Sequence, residues 1–215
     1  MGAVSVSDLA AVVYSSGKVF NGLETGRLDT ENFLRSGSTE GVTSRSDLHL
    51  LQDLRDVAEF VVARASSAVD ARYVMALNGL ISRSGAIRAG QLRREDQGIG
   101  VSTRYGRHEP PALSEAELDA LIVSCFSGGE PLDNALALFV ALAKAQPFED
   151  GNKRTALFAA NGYLINTGSP LLVSVPVDDA DPGVAAAFND ALARAYLHDD
   201  TADALRLMRA AVIKR

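Results

Sequence analysis

AKAQPFEDGNKRTALFAANGYLIN, residues 143–166, joins one apolar segment to another through a loop that holds Glu149, Asp150, Gly151, Asn152, Lys153 and Arg154 in consecutive positions. The segment before it, ALALFVALAKA, follows Asp133 and is apolar almost all round. The segment after it, RTALFAANGYLINTG, closes at Gly168 ahead of Pro170. Helices of that kind belong at the centre of a helical domain. Gly151 and Asn152 therefore fall where the chain enters a helix, whose first N–H groups are unpaired and whose end is partly positive. Such an end accepts phosphate, glycine lets backbone approach it, and Lys153 and Arg154 add full charge there. Asp150 is the ligand type suited to Mg2+, which takes a carboxylate together with substrate phosphates. Glu149 is expected to face solvent. The stretch predicts a site for a nucleotide polyphosphate with its metal; the competing reading is a capped helix with two solvated cations.

Outward from the loop the helical signals continue. DTENFLRS reads as a short helix from Asp29 or Thr30. SRSDLHLLQDLRDVAEFVVARASS places Leu48, Leu51, Val57 and Phe60 near a helical period after capping serines. DARYVMALNGLISR, DPGVAAAFNDALARAYL and TADALRLMRAAV add three more, and Ser114 with Glu117 forms a capping box before LDALIVSCF. LLVSVPV reads as a short strand or an extended connection. EDQGIGVSTRYGRHEPP, residues 95–111, alternates glycines with Ile99, Val101, Thr103 and Tyr105 before Pro110 and Pro111, which predicts an extended hairpin or flap. The expected fold is all-α, a helical bundle with a small β-hairpin flap, in a single domain over residues 1–215. Residues 1–45 form its N-terminal helical extension.

Composition sets the wider limits. The chain has 215 residues, 47% apolar and 22% charged, which is a folded protein with one ordinary core. A net charge of −6 argues against nucleic acid or an anionic membrane surface as partner. No stretch approaches the roughly 20 apolar residues of a membrane span. The lone Cys125 excludes an internal disulfide and reads as a small core residue rather than a nucleophile. Met1–Gly2 matches the start of an acylation signal and nothing more of one. A cytoplasmic protein is expected.

QPFEDGNKR resembles the motif of the Fic/Doc family, H-x-F-x-D/E-G/A-N-G/K-R, at eight of nine positions. RAGQLRRED, with Gly90 and Arg93, is similar to the G-x-x-R element before that family's flap, and YGRHEPP to the flap's end. RSGSTEG, with Ser36, Glu40 and Gly41, matches an inhibitory motif of many members. The resemblance implies a Fic-type helical bundle that takes ATP with Mg2+ and transfers AMP, or in the Doc branch a phosphate, to a protein hydroxyl. Asp150 would hold Mg2+, Gly151 and Asn152 the anion hole, and Lys153 and Arg154 the phosphates. Catalysis would rest on Asn152, Arg154 and position 146, with Phe148 anchoring the loop. A target segment would add as a strand to the flap, near Val101, Thr103, Tyr105 and His108.

Three departures bear on activity. Gln146 stands where the family has its His base, and an amide cannot take up a proton. Neither His49 nor His198 lies in the motif; His108, at the flap, is the one histidine to weigh as a distant substitute. Lys153 replaces Gly, which favours the Doc-like orientation. Leu157 stands where AMP-transferring members carry a second Arg, so Glu40 lacks its usual partner. The sequence thus supports a transferase with weak or altered activity, a non-catalytic nucleotide- or protein-binding regulator, or a toxin–antitoxin component. A regulatory partner protein or self-association is compatible with each.

Overall fold

The computed structural model describes residues 4–85, 87–126 and 128–215. Met1 and Gly2, and with them the acylation reading, lie outside the described residues. The expected all-α fold with a small hairpin is what forms. Among the described residues there are nine α-helices: α1 (Ala10–Asn21), α2 (Arg27–Ser36), α3 (Arg45–Ala63), α4 (Ala71–Gly79), α5 (Glu115–Ser124), α6 (Pro131–Ala145), α7 (Asn152–Asn166), α8 (Pro182–His198) and α9 (Ala202–Ala210). The hairpin is β1 (Val101–Thr103) with β2 (Gly106–His108), antiparallel, Val101 opposite His108. A second ribbon pairs β3 (Leu171–Leu172) with β4 (Ile213–Lys214), so LLVSVPV is a strand only at its start.

The caps explain most of the boundaries. Ser44 accepts from Asp47 N at the start of α3, Asp70 from Tyr73 N at α4, and Ser114 with Glu117 closes a capping box on α5. α2 starts earlier than the sequence suggested, at Arg27 after Gly26, and α4 ends earlier, at Gly79. α1 falls inside the helical extension expected over residues 1–45, and it buries Val12, Val13 and Tyr14 fully, so that extension is part of the core. Among the described residues no helix is long and apolar enough to cross a membrane.

α6 and α7 form the central helical hairpin. α7 touches α1, α3, α4 and β3, while α6 touches α5, α8 and α9. α7 buries residues all round, including Leu157, Phe158 and the polar Asn161. Asn161 is tolerated because its amide is fully used. Its Nδ2 donates to Leu157 O at 2.9 Å and Val173 O at 2.8 Å, and its Oδ1 accepts from Val173 N at 2.9 Å. That fastens the strand after α7 to the helix it follows.

Gly162 lets α4 come close. A Cβ there would sit 2.3 Å from the Tyr73 hydroxyl and 3.0 Å from its Cζ. Tyr73 cannot easily move, because its ring packs edge-on against Phe60 at 5.0 Å. Overpacking of this kind costs about 1–3 kcal/mol, or roughly 5 °C in Tm for a chain of this size. Gly162→Ala is expected to lower the thermal midpoint by that much. Tyr73→Phe, whose lost hydroxyl has no hydrogen-bond partner among the described residues, should be near neutral and should recover part of the loss when combined with it. Equal losses in both backgrounds would show that the Gly162–Tyr73 contact is not the source.

Candidate functional site

The loop between α6 and α7 is closed by one side chain. Asn152 Nδ2 donates to Phe148 O at 2.9 Å, and Asn152 Oδ1 accepts from Phe148 N at 2.9 Å. Phe148 is buried beneath it, so the loop has an apolar anchor and a polar clasp. Gly151 then turns the chain into α7 with φ +74, and a Cβ there would meet Asn78 Nδ2 at 3.1 Å and Ile81 Cδ1 at 3.1 Å. The first α7 amide taken up by a backbone carbonyl is Thr155 N, on Gly151 O at 2.8 Å. The amides of Asn152, Lys153 and Arg154 precede that bond and have no intrahelical acceptor. The Asn152 side chain is spent on the loop, which leaves its backbone N–H as the donor it can offer to the cavity.

The two cations are held differently. Arg154 is buried, its Nη1 on Ser84 Oγ at 2.7 Å and its Nη2 3.6 Å from Asp150 Oδ2. Burial pulls its pKa down, with Asp150 and then Asp53 acting the other way. Ser84 is in turn fixed by Asp53 of α3, fully buried, which accepts from Ser84 N and Oγ and from Arg83 N and Nη1. Lys153 lies beside α8, with Nζ 3.5 Å from Asn189 Oδ1 and 4.9 Å above the centre of the Phe20 ring. Burial lowers its pKa, the neighbouring Arg154 adds to that, and Asp150 opposes both.

Asp150 has an Oδ1 that accepts from Gly151 N at 2.6 Å and a side chain 53% exposed. Among the described residues no three His, Cys, Asp or Glu side chains gather as a metal site. These residues suit a divalent ion whose other ligands arrive with a phosphate, and not a resident structural metal. Glu149 departs from the expectation of a solvent-facing residue. Its side chain is 17% exposed, with Arg88 Nη2 2.8 Å from Oε1 and Gln97 Nε2 donating to the same oxygen. Arg88 and the root of the hairpin draw it inward.

A cavity of about 260 Å³ opens over α7's first turn, lined by Gln146, Glu149 and residues 150–154, by Ile99, Gly100 and Val101 of the hairpin, and by Phe20, Asn21 and Tyr196. The fold thus brings Gln146, Asp150, Gly151, Asn152, Lys153 and Arg154 to one cavity. Gln146 is buried at the C-cap of α6 with φ 45 and ψ 59, a left-handed turn unusual for its residue type. Val101 lines this cavity, and Val101 and Thr103 both line its neighbour between the hairpin and α8. Tyr105 sits at the hairpin tip, its hydroxyl donating to Asp190 Oδ2 at 2.9 Å. His108 is not at the cavity. It is buried, stacked 5.2 Å from the Tyr196 ring, and its Nε2 lies 2.7 Å from Lys144 O. A carbonyl can only accept, so that nitrogen carries the proton and is engaged.

Ser36, Glu40 and Gly41 also lie away from the cavity. Ser36 ends α2 with Oγ on Asn32 O at 2.8 Å, Glu40 is exposed with its N–H on Ser38 Oγ at 3.3 Å, and Gly41 turns at φ +78 against the Asp29 carboxylate. What reaches the cavity from the N-terminal region is the end of α1, Phe20 and Asn21. Its available signal was Asn21–Gly22, a helix-ending pair, with Gly22 at φ 66. Asn78, Ser84 and Asp53 were also missed. Asn78 Nδ2 donates to Asp150 O and Thr155 Oγ1, both at 3.0 Å, from a helix far away in sequence.

Comparison with known proteins agrees with this fold. The Fic/DOC family model matches residues 68–164. A Fic domain containing signaling protein from Bacteroides thetaiotaomicron superposes with a TM-score of 0.70 at 18% identity, over 94% of this chain and 81% of that one. Fic-1 from C. elegans gives 0.73 at 19% identity, over 95% of this chain and 60% of that one. A Fic family protein from Desulfovibrio desulfuricans gives 0.63 at 14%, over 95% and 64%. The chain therefore spans less than two thirds of the latter two, and at these identities the likeness is one of fold. No curated protein sequence matches it. The loop, the hairpin and α7 as far as Leu164 fall within residues 68–164, the segment that matches the Fic/DOC family.

Proposed function

We propose that the cavity binds ATP with Mg2+ and that the chain transfers AMP or a phosphate to the hydroxyl of a protein segment lying along β1. The observation that carries this reading is the opening of α7 onto the cavity. Three amides without an acceptor among the described residues, a positive-φ glycine and two cations line one concave wall, the arrangement that binds a chain of phosphates. Asp150 would hold the metal, which supplies charge neutralisation on the phosphate oxygens.

This chain's residues would act as follows. Lys153 and Arg154 bind the phosphates, with Arg154 pre-set by Ser84 so that its guanidinium costs little to organise. The amides at the start of α7 face the oxygens where charge grows. The target oxygen bonds to the α-phosphorus with loss of pyrophosphate, or to the γ-phosphorus with loss of ADP. Its proton goes to solvent, because Gln146 can orient the hydroxyl by hydrogen bonding without accepting the proton. Absence of a general base lowers the rate about 10²–10⁴-fold. That loss favours a second reading, a Fic-fold protein that binds nucleotide or a partner and regulates without turnover.

Transfer from ATP labelled at the α- or the γ-phosphate, in lysate with Mg2+, separates these readings. The natural chain is expected to label a protein weakly and Gln146→His strongly, with the variant's rate rising as pH passes about 6.5, where imidazole loses its proton. Label from the α position identifies AMP transfer, and from the γ position phosphate transfer. Labelling by the variant alone would assign the natural chain a binding role, and labelling by neither would contradict the transferase reading. Gly151→Ala is expected to weaken ATP binding about tenfold by calorimetric titration, since a left-handed alanine costs roughly 1–2 kcal/mol and crowds Asn78 and Ile81. Unchanged affinity would place the phosphates elsewhere.

A further inference from the structure

The C-terminal end of a helix leaves carbonyls without intrahelical partners, and at the end of α6 the residues that take them come from the hairpin segment. Lys144 O accepts from His108 Nε2 of β2 at 2.7 Å. Gln146 O accepts from Arg93 Nε at 2.7 Å, and Pro147 O from Arg93 N at 2.9 Å. Arg93 Nη2 reaches the far side of the hairpin, donating to Pro110 O and, at 2.7 Å, to Pro111 O. Leu92 completes the junction with an antiparallel bridge to Phe148. Arg93 is 5% exposed, and its side-chain acceptors are all carbonyls.

A buried guanidinium that faces only carbonyls is an expensive group to keep, and burial lowers its pKa accordingly. Its fork is the one side chain that can span three carbonyls on two segments at fixed angles. The carbonyl of Gln146 is among them, and Gln146 holds a left-handed turn in which its residue type is unfavourable. The hairpin is fixed at its other end too, where Arg104 Nη2 and Tyr105 Oη both donate to Asp190 Oδ2 of α8.

We propose that Arg93 is a positioning residue that makes the hairpin the cap of α6, locking the Gln146 turn and the strand edge at β1 into one unit with a fixed spacing. On the function proposed above, that spacing sets the distance between a hydroxyl on the strand edge and the phosphates at α7. The consequence rests on that reading, whereas the mechanical tie does not.

The test is amide hydrogen exchange on the nucleotide-free full chain. Arg93→Ala is expected to speed exchange at least tenfold in both residues 101–108 and residues 148–152, with residues 156–162 of α7 unchanged. Arg93→Lys, which keeps the charge but has one ammonium for three carbonyls, should give a smaller rise in the same two segments; it carries the test alone if Arg93→Ala does not fold. Faster exchange in only one segment, no change in either, or an equal rise in α7 would overturn the proposal. Exchange is read without ATP, so failure of the transferase reading would leave this result standing, and loss of the tie would leave ATP binding to be judged separately.

Discussion

The amide of Asn152 gives both its hydrogen-bonding functions to the backbone of Phe148, and much of the site follows from that. With the side chain so engaged, the loop cannot unwind into α6 or α7, and Phe148 stays in the core beneath it. Residues 152–154, whose amides begin α7, then line a cavity. A helix start is attractive to anions in any protein. What is particular here is that this start is held open by a clasp, with Gly151 supplying the positive φ that brings the chain into the helix.

Two buried carboxylates of α3 support the site from behind. Asp53 gathers Arg83 and Ser84, and Ser84 orients Arg154. Asp47 accepts from Glu24 N, Thr25 N and Thr25 Oγ1, which pins the turn after α1 and with it the end that carries Phe20 and Asn21 to the cavity. Each carboxylate is tolerated in the interior because several donors converge on it. The two carboxylates thereby support Phe20, Asn21 and Arg154, which line the cavity.

The central hairpin, the loop and the capped helices were legible because their signals are local. Apolar runs flank the loop, Ser44 and Ser114 stand at helix starts, and Gly151 and Asn152 have one natural use at a junction. The eight matched positions of QPFEDGNKR added the family. The bounds of α1 within the helical extension were not legible, since Ser15, Ser16, Gly17 and Lys18 interrupt its apolar pattern and their burial depends on neighbours the sequence does not reveal. Glu149 read as solvent-facing because Arg88 and Gln97 meet it only after the chain folds. The Ser36–Glu40–Gly41 pattern is a short string that lies away from the cavity, and the end of α1 is what reaches it. His108 was weighed as a substitute base, but its imidazole instead caps α6.

The central claim is that the start of α7 is a phosphate cradle, and a crystal structure of the chain with Mg2+ and a non-hydrolysable ATP analogue tests it most directly. The account predicts phosphate oxygens within hydrogen-bond distance of the amides at residues 152–154, with a metal between those oxygens and Asp150. Phosphates bound away from α7, or Lys153 and Arg154 still facing Phe20 and Ser84 with no anion beside them at saturating analogue, would contradict it.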